Sequence, residues 1–283
     1  MLDNALSAAG SCQLVMLATI AKNADASASP QAEWWLVLPA FCVCLPLPLM
    51  AARASLVRGG WQLLEASPLT VAQTQQPFAG PPHSVTVYLI RHAQSMANVA
   101  AAEGDESAAD RALRDALITE AGAAQAAALQ AVDWRALGVE RALSSPMRRC
   151  LQTACLAFAA AEPPLRVEVT PSAAEFFPHL MEARGTPVAE LRTDPALLSL
   201  PRFASAVDFG ELELPETQNW WSHEECARIE RVDDLMRVAG TVAEEAAGRS
   251  TAVCCHWGVF NHLLLPDELR PVHRVPAVNS VSL

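Results

Sequence analysis

The alternation of short apolar runs with alanine-rich stretches constrains the fold of residues 83–283 more than any other sequence feature. Strand-like runs cover residues 85–90, 141–145, 166–170, 251–256 and 278–283, and helical patterns cover residues 119–137, 148–160 and 222–247. This alternation predicts a three-layer α/β fold, in which helices cover both faces of a mostly parallel sheet. In such a fold, functional side chains collect at the carboxyl ends of the strands.

Residues 1–82 differ from the rest of the chain and are predicted to lie outside this domain. They contain only seven charged residues. The end of this segment, residues 69–84, is rich in proline and glycine and is predicted to be a linker. The sequence therefore divides into an N-terminal extension of residues 1–82 and a folded domain of residues 83–283.

The extension contains one uncharged apolar run, "WWLVLPAFCVCLPLPLMAA" at residues 34–52. As a helix, this run would span about 28 Å, close to the thickness of a bilayer core. Pro39, Pro46 and Pro48 each remove a helical hydrogen bond, which weakens this interpretation. If the run spans a membrane, the flanking charges place the C-terminal domain on the cytoplasmic side. Three interpretations stay open: a membrane anchor, a targeting or processing segment, and a disordered extension.

Composition excludes several classes of function. A net charge of -11 argues against nucleic acid as a partner, because binding to a phosphate backbone needs a broad basic surface. Lys22 is the only lysine, so the domain has no lysine for a P-loop or a Schiff base. The eight cysteines form neither a CxxC pair nor a cluster with metal-ligand spacing. They predict buried thiols in a reducing compartment and no metal site.

Basic residues follow three of the predicted strands. Arg91 and His92 follow the first strand, Arg148 and Arg149 follow the second, and His256 follows the fourth. A parallel sheet brings the ends of these strands to one edge. The sequence therefore predicts an anion-binding pocket that contains two histidines and at least two arginines.

Four ordered segments carry a family resemblance that extends from about residue 85 to the end of the chain. They are "LIRHAQSMAN", "LITEAGAAQAAAL", "SSPMRRCLQTA" and "VCCHWGVFNHLL", which begin at residues 89, 117, 144 and 253. Together they resemble the histidine phosphatase superfamily, which includes cofactor-dependent phosphoglycerate mutases and many phosphatases. The resemblance implies a phosphoglycerate mutase-like fold. Ala93 departs from the pattern, because the family usually has glycine at this position.

The resemblance also implies roles for individual residues. His92 would attack the phosphorus atom, since a neutral imidazole is a competent nucleophile when its other nitrogen is held by an acceptor. Arg91 and Arg149 would bind the phosphoryl oxygens through their forked guanidinium groups, and Asn98 and His256 would add further donors. Arg149 matches the family arginine, whereas Arg148 is expected to be a solvated helix residue.

The leaving group needs a proton donor, and the segment "TPSAAEFFPHLMEARG" offers two carboxyl groups, Glu175 and Glu182. Glu175 stands four residues beyond Pro171, close to the position at which relatives place their glutamate. Ala173 replaces the leucine that relatives usually have, so both candidates stay open. We favour Glu175 as the acid.

The implied reaction is the hydrolysis of a phosphate monoester through a phosphohistidine, with neither a metal nor a cofactor. Its substrate would be a small phosphate ester or a phosphoprotein. Residues 185–221 also resemble an insertion in the phosphoglycerate mutase-like proteins of plants, algae and fungi. Two alternatives are a mutase, disfavoured because Tyr88 is the only tyrosine, and a non-catalytic phospho-ligand binding or scaffold protein.

Overall fold

The structure, a computed structural model, describes residues 49–57, 60–69, 83–103, 113–175, 184–213 and 230–264 of the chain. These ranges contain one seven-stranded sheet. Its strands are β1 (Leu49–Val57), β2 (Gly60–Leu69), β3 (Ser84–Arg91), β4 (Val139–Ser144), β5 (Arg166–Val169), β6 (Val207–Asp208) and β7 (Ser250–Cys255). Their order is β2-β1-β3-β7-β4-β5-β6, and the last five strands in this order are parallel. The predicted mostly parallel α/β fold is confirmed.

Eight helices are assigned within the described ranges. They are α1 (Met96–Glu103), α2 (Glu120–Ala128), α3 (Arg148–Ala157), α4 (Val188–Leu191), α5 (Pro195–Leu198), α6 (Phe203–Ala206), α7 (Glu230–Glu245) and α8 (Trp257–Leu264). Helix α2 is shorter than the predicted helix of residues 119–137, because the chain tightens into a 3₁₀ turn at Leu129–Ala131. The predicted strand at residues 278–283 lies outside the described residues.

Alternating side chains of β3 build two cores, one on each face of the sheet. Tyr88 and Ile90 pack with Ala154 of α3 and with Trp134 and Phe158, which lie in the segments that follow α2 and α3. Val87 and Leu89 point to the opposite face, where α7 and α8 supply the covering residues. Since both faces are buried, residues 87–90 of β3 are a continuous apolar run rather than an alternation of apolar and polar residues.

The described part of the predicted insertion packs beside α3 and forms a third core. Helices α4, α5 and α6 contribute Leu191, Leu197 and Phe203, which contact Met147 and Leu151 at the start of α3. The insertion is therefore anchored on the helix that carries Arg149.

The sheet begins earlier in the chain than the predicted domain boundary. Strand β1 pairs antiparallel with β3 from Leu49↔Ile90 to Ser55↔Ser84, and β2 pairs antiparallel with β1. The boundary at residue 83 therefore divides the sheet between β2 and β3. Most of the predicted linker, residues 70–82, lies outside the described residues.

Residues 49–52 of the apolar run lie in β1, so the run does not continue as a helix to residue 52. Residues 34–48 lie outside the described part of the chain. Among the described helices, none combines the length and the apolar character that crossing a bilayer requires.

Candidate active site

Main-chain hydrogen bonds to β7 fix the residues that follow β3 and β4. The His92 amide donates to the carbonyl oxygen of Cys255 at 3.0 Å, and the Ser145 amide donates to the carbonyl oxygen of Cys254 at 2.9 Å. Each bond extends the ladder by one residue past the end of its strand. The side chains of His92 and Ser145 therefore project from a rigid edge.

The two motif histidines meet at this edge. The ring centroids of His92 and His256 lie 5.1 Å apart, and both side chains are buried. The sequence prediction that the parallel sheet brings them together is confirmed by this geometry.

One nitrogen of His92 is held by the backbone. His92 Nδ1 lies 2.8 Å from the carbonyl oxygen of Ala93, which can only accept a hydrogen bond, so Nδ1 carries the proton. The lone pair is then on Nε2. The Ala93 amide donates to Thr153 Oγ1 at 2.9 Å, and this bond ties the residue after the histidine to helix α3.

Burial and positive charge keep both histidines neutral. Burial, followed by the Arg149 and Arg91 guanidinium groups, holds the pKa of His92 well below its usual value of 6.5. Burial and Arg149 likewise lower the pKa of His256, with smaller contributions from His92, Arg231 and Arg91. A neutral imidazole at position 92 has the lone pair that a nucleophile needs.

Arg91 and Arg149 supply the positive charge of the site, and both are almost completely buried, with exposures of 8% and 1%. The Arg91 guanidinium lies 5.6 Å from the centroid of the Trp257 ring, a cation–π contact that restrains its orientation. Buried guanidinium groups of this kind suit a dianionic ligand such as a phosphoryl group.

Glu175 is the carboxyl group that the structure brings to the histidines. Its side chain is buried, and its Oε2 lies 3.9 Å from His256 Nδ1. Glu182, the alternative acid, lies outside the described residues.

The loop that carries Glu175 is held by a residue that the sequence motifs did not reveal. Arg231 of α7 is buried and donates to the carbonyl oxygens of Pro171 at 3.1 Å and Glu175 at 3.2 Å, with a longer bond to that of Ala174. A sequence signal did exist, because Arg231 continues the apolar stripe that Leu235 and Ala239 form on α7.

Asn98 lies on α1, where its side chain is half-buried. Its Oδ1 accepts a hydrogen bond from the Ser95 amide at 3.0 Å. With the side-chain oxygen engaged, the amide NH₂ group is the part of Asn98 that can donate to a ligand.

Arg148 is not the solvated helix residue that the sequence suggested. Its Nε donates to the carbonyl oxygen of Asp115 at 2.7 Å, and its Nη1 bonds Asp194 Oδ2 at 3.1 Å. Asp194 caps α5, so Arg148 links the start of α3 to the insertion. The expectation was wrong because the insertion covers the side of α3 that the helix alone would expose to water.

The cysteines of the site are buried free thiols, as predicted for Cys150, Cys155, Cys254 and Cys255. Cys150 Sγ lies 3.4 Å from His256 Nε2. Among the residues of the described ranges, no group of three or more His, Cys, Asp or Glu side chains is arranged to hold a metal ion.

Comparisons with known proteins place this geometry in context. Residues 87–267 match the family model described as histidine phosphatase superfamily, branch 1. No curated protein matches the chain.

Several solved structures are similar to the chain. One is a candidate alpha-ribazole-5'-P phosphatase from Escherichia coli, with 19% identity, a TM-score of 0.37, and coverage of 62% of this chain and 75% of that chain. A second is the alpha-ribazole phosphatase from Shigella flexneri, with 20% identity, a TM-score of 0.36, and coverage of 62% and 75%. A third is a mycobacterial glucosyl-3-phosphoglycerate phosphatase, with 22% identity, a TM-score of 0.31, and coverage of 62% and 76%.

Proposed function

Because the chain belongs to the histidine phosphatase superfamily, we propose that it hydrolyses a phosphate monoester through a phosphohistidine on His92. The observation that carries the proposal is the convergence of four buried groups at one edge of the sheet. The His92 and His256 rings lie 5.1 Å apart, Glu175 Oε2 lies 3.9 Å from His256, and Arg149 acts on both rings.

In the first step, His92 Nε2 attacks phosphorus and the bond between phosphorus and the leaving oxygen breaks. The Nδ1–H bond to the Ala93 carbonyl supports this direction of attack, because it leaves the lone pair on Nε2. Arg91 and Arg149 stabilise the negative charge on the equatorial oxygens, and Asn98 and His256 add donors. Glu175, in its protonated form, gives its proton to the leaving alkoxide.

In the second step, the Glu175 carboxylate takes a proton from water as the water attacks phosphorus. The phosphorus–nitrogen bond breaks, and His92 recovers its lone pair while phosphate leaves. We propose Glu175 for both proton transfers rather than Glu182, because Glu175 is the buried carboxyl group beside His256.

Hydrolysis is proposed over mutase transfer. The chain's only tyrosine, Tyr88, is fully buried in β3 and packs against Trp134 on the face covered by α3, so it does not orient a substrate. As a finer proposal, the insertion of residues 185–221 relates the chain to the phosphoglycerate mutase-like proteins of plants, algae and fungi, with a small phosphate ester as substrate.

The test is hydrolysis of p-nitrophenyl phosphate by the full chain in EDTA, comparing wild type with His92→Ala and Glu175→Gln. We expect His92→Ala to reduce kcat by about a thousandfold or more, since the nucleophile is lost. The control is His83→Asn, at an exposed histidine before β3, which should keep the wild-type rate.

Turnover by His92→Ala above a few per cent of the wild-type rate would reject the phosphohistidine mechanism. If the wild-type chain is inactive on this ester, phosphoglycerate and bisphosphoglycerate are the next substrates. Equilibrium binding of an ester without any turnover would favour the non-catalytic binding protein.

A further inference from the structure

Ser145 contacts the second histidine from the side opposite Glu175. It follows β4, its side chain is fully buried, and its Oγ lies 2.8 Å from His256 Nε2. The bond between its amide and the Cys254 carbonyl fixes its main chain. The sequence motifs assigned no role to this serine.

The other hydrogen bonds of Ser145 show which partner donates in this contact. Ser145 Oγ already accepts a bond from the Met147 amide at 3.3 Å. A buried hydroxyl must also place its own hydrogen on an acceptor, and among the described residues the acceptor within reach is His256 Nε2. Ser145 therefore donates and Nε2 accepts, which leaves the ring proton on Nδ1.

Cys150 does not compete for the same nitrogen. Its thiol is directed at the carbonyl oxygen of Cys255, 3.6 Å away, although its sulfur also lies 3.4 Å from His256 Nε2. A hydroxyl at 2.8 Å is a much stronger donor than a thiol at that distance.

The position of this proton decides what His256 can contribute. The neutral imidazole has one N–H group, and Nδ1 is the nitrogen that faces Glu175 Oε2, 3.9 Å away. An N–H on Nδ1 therefore points to the side where the carboxyl group and the reacting phosphoryl group would meet. With the proton on Nε2, the ring would donate to Ser145 and offer only a lone pair to a phosphoryl oxygen.

We infer that Ser145 is a positioning residue that holds His256 as the Nδ1–H tautomer, so that His256 can donate a hydrogen bond to the phosphoryl group on its way to His92. Its importance for turnover rests on the proposed function. The tautomer itself is a property of the folded chain and can be measured without substrate.

The experiment is ¹⁵N NMR of the histidine rings in the full chain, with the His256 signals assigned by their loss in His256→Asn. The variants are Ser145→Ala, which removes the donor, and Ser145→Thr, which retains a hydroxyl. Ser144→Ala is the matched control, because Ser144 is an adjacent buried serine whose Oγ donates to the Ser145 carbonyl at 3.0 Å.

We expect the Nδ1–H tautomer in wild type, Ser145→Thr and Ser144→Ala, and a substantial Nε2–H population in Ser145→Ala. With p-nitrophenyl phosphate, kcat of Ser145→Ala should fall by about tenfold, as when one donor to a charged group is lost. Titration with inorganic phosphate should shift the His256 Nδ1 signal in wild type, and Ser145→Ala should bind phosphate about fivefold to tenfold more weakly.

An Nε2–H tautomer in the wild-type chain would overturn the inference, and this result does not depend on whether any variant folds. A second contradicting result would be a Ser145→Ala variant that keeps the wild-type tautomer, whatever its kcat. A third would be a change of tautomer in Ser145→Ala without a change in kcat or in phosphate affinity. If the wild-type chain turns over no ester, the proposed function fails. The tautomer and the phosphate titration still decide the role of Ser145.

Discussion

His92 lies among positive charges, and these charges help to keep its ring neutral. The guanidinium groups that would hold the phosphoryl oxygens also lower the pKa of its ring, after the larger effect of burial. In the proposed mechanism, the same arginines thus prepare the nucleophile and bind the charged phosphoryl group that it attacks.

This arrangement predicts an acid-tolerant enzyme. Protonation of His92 removes the lone pair, so kcat/KM should fall only when the pH drops to the lowered pKa of His92, well below the ordinary value of 6.5. The measurement is kcat/KM for p-nitrophenyl phosphate against pH. An acid limb with a midpoint at 6.5 or above would contradict the prediction.

Arg231 should affect the reaction through Glu175. Replacing Arg231 with Met removes the donors to the carbonyl oxygens of the loop that carries this carboxyl group. We expect the free energy of unfolding to fall by about 3 kcal/mol, because buried carbonyl groups lose their partner. Displacement of the acid should lower kcat by about tenfold. Urea unfolding and steady-state kinetics measure the two effects.

Arg237→Met is the matched control for Arg231→Met, because Arg237 lies on the exposed side of the same helix and pairs with Asp234. It should change the unfolding free energy by less than about 0.5 kcal/mol and leave kcat unchanged. Equal effects of the two variants would show that Arg231 has no special relation to Glu175.

The residues that could be predicted are those that follow strands within motifs, such as His92, Arg149 and His256. The sequence alone shows how far each of these residues stands from an apolar run. Arg231 lies 56 residues from Glu175 in sequence, and its contact exists only after α7 packs on the sheet. The role of Ser145 likewise depends on a histidine 111 residues away.

At the scale of elements, the start of α2 supports the loop that follows His92. Thr119 caps this helix by accepting a bond from the Gly122 amide at 2.9 Å, and the Thr119 amide donates to the Gln94 carbonyl at 2.9 Å. A Cβ at position 122 would overlap the Gln94 carbonyl oxygen. Glycine is therefore required for this close approach.

Gly122→Ala should displace the loop after His92. We expect a loss of stability of about 1–3 kcal/mol from the steric overlap, together with a fall in kcat of about tenfold. The comparison variant is Gly248→Ala, whose Cβ would overlap the main chain of Gly138 near the opposite edge of the sheet.

Gly248→Ala should lose a similar amount of stability and keep the wild-type kcat at temperatures where it remains folded. Thermal unfolding and steady-state kinetics of Gly122→Ala and Gly248→Ala test these two expectations. If Gly122→Ala keeps full activity, or if Gly248→Ala loses it, the contact between α2 and the loop does not position the nucleophile.

The strands β3, β4, β5 and β7 were predicted to within two residues. Strands β3 and β7 are largely apolar runs, and β5 alternates valine with charged residues, which is a strand pattern.

Strands β1 and β2 were not predicted. Their sequences, "LMAARASLV" and "GWQLLEASPL", are rich in alanine, leucine and polar residues, which have weak strand propensity. Pro68 in β2 is tolerated because β2 is an edge strand. Pairing with β3, rather than local propensity, defines this hairpin.

At the scale of the whole molecule, this hairpin covers the edge of β3. We predict that a chain of residues 83–283 has a lower Tm than the full chain and self-associates, since seven register pairs between β1 and β3 are lost and a central strand becomes an open edge. A chain of residues 49–283 is the control, because it keeps both antiparallel strands. Thermal unfolding and size-exclusion chromatography test the prediction, and equal Tm values for the two chains would contradict it.

The position of β7 between β3 and β4 also has a consequence for the synthesis of the protein. Residues 86–91 and 139–144 of these neighbours leave the ribosome long before residues 250–255, which pair with both. Until then the two strands have no common partner, and such long-range pairing is slow. Their apolar faces stay uncovered for most of translation, so newborn chains should depend on chaperones until β7 inserts. His256 arrives with β7, so the proposed phosphate site is completed when this strand joins the described sheet.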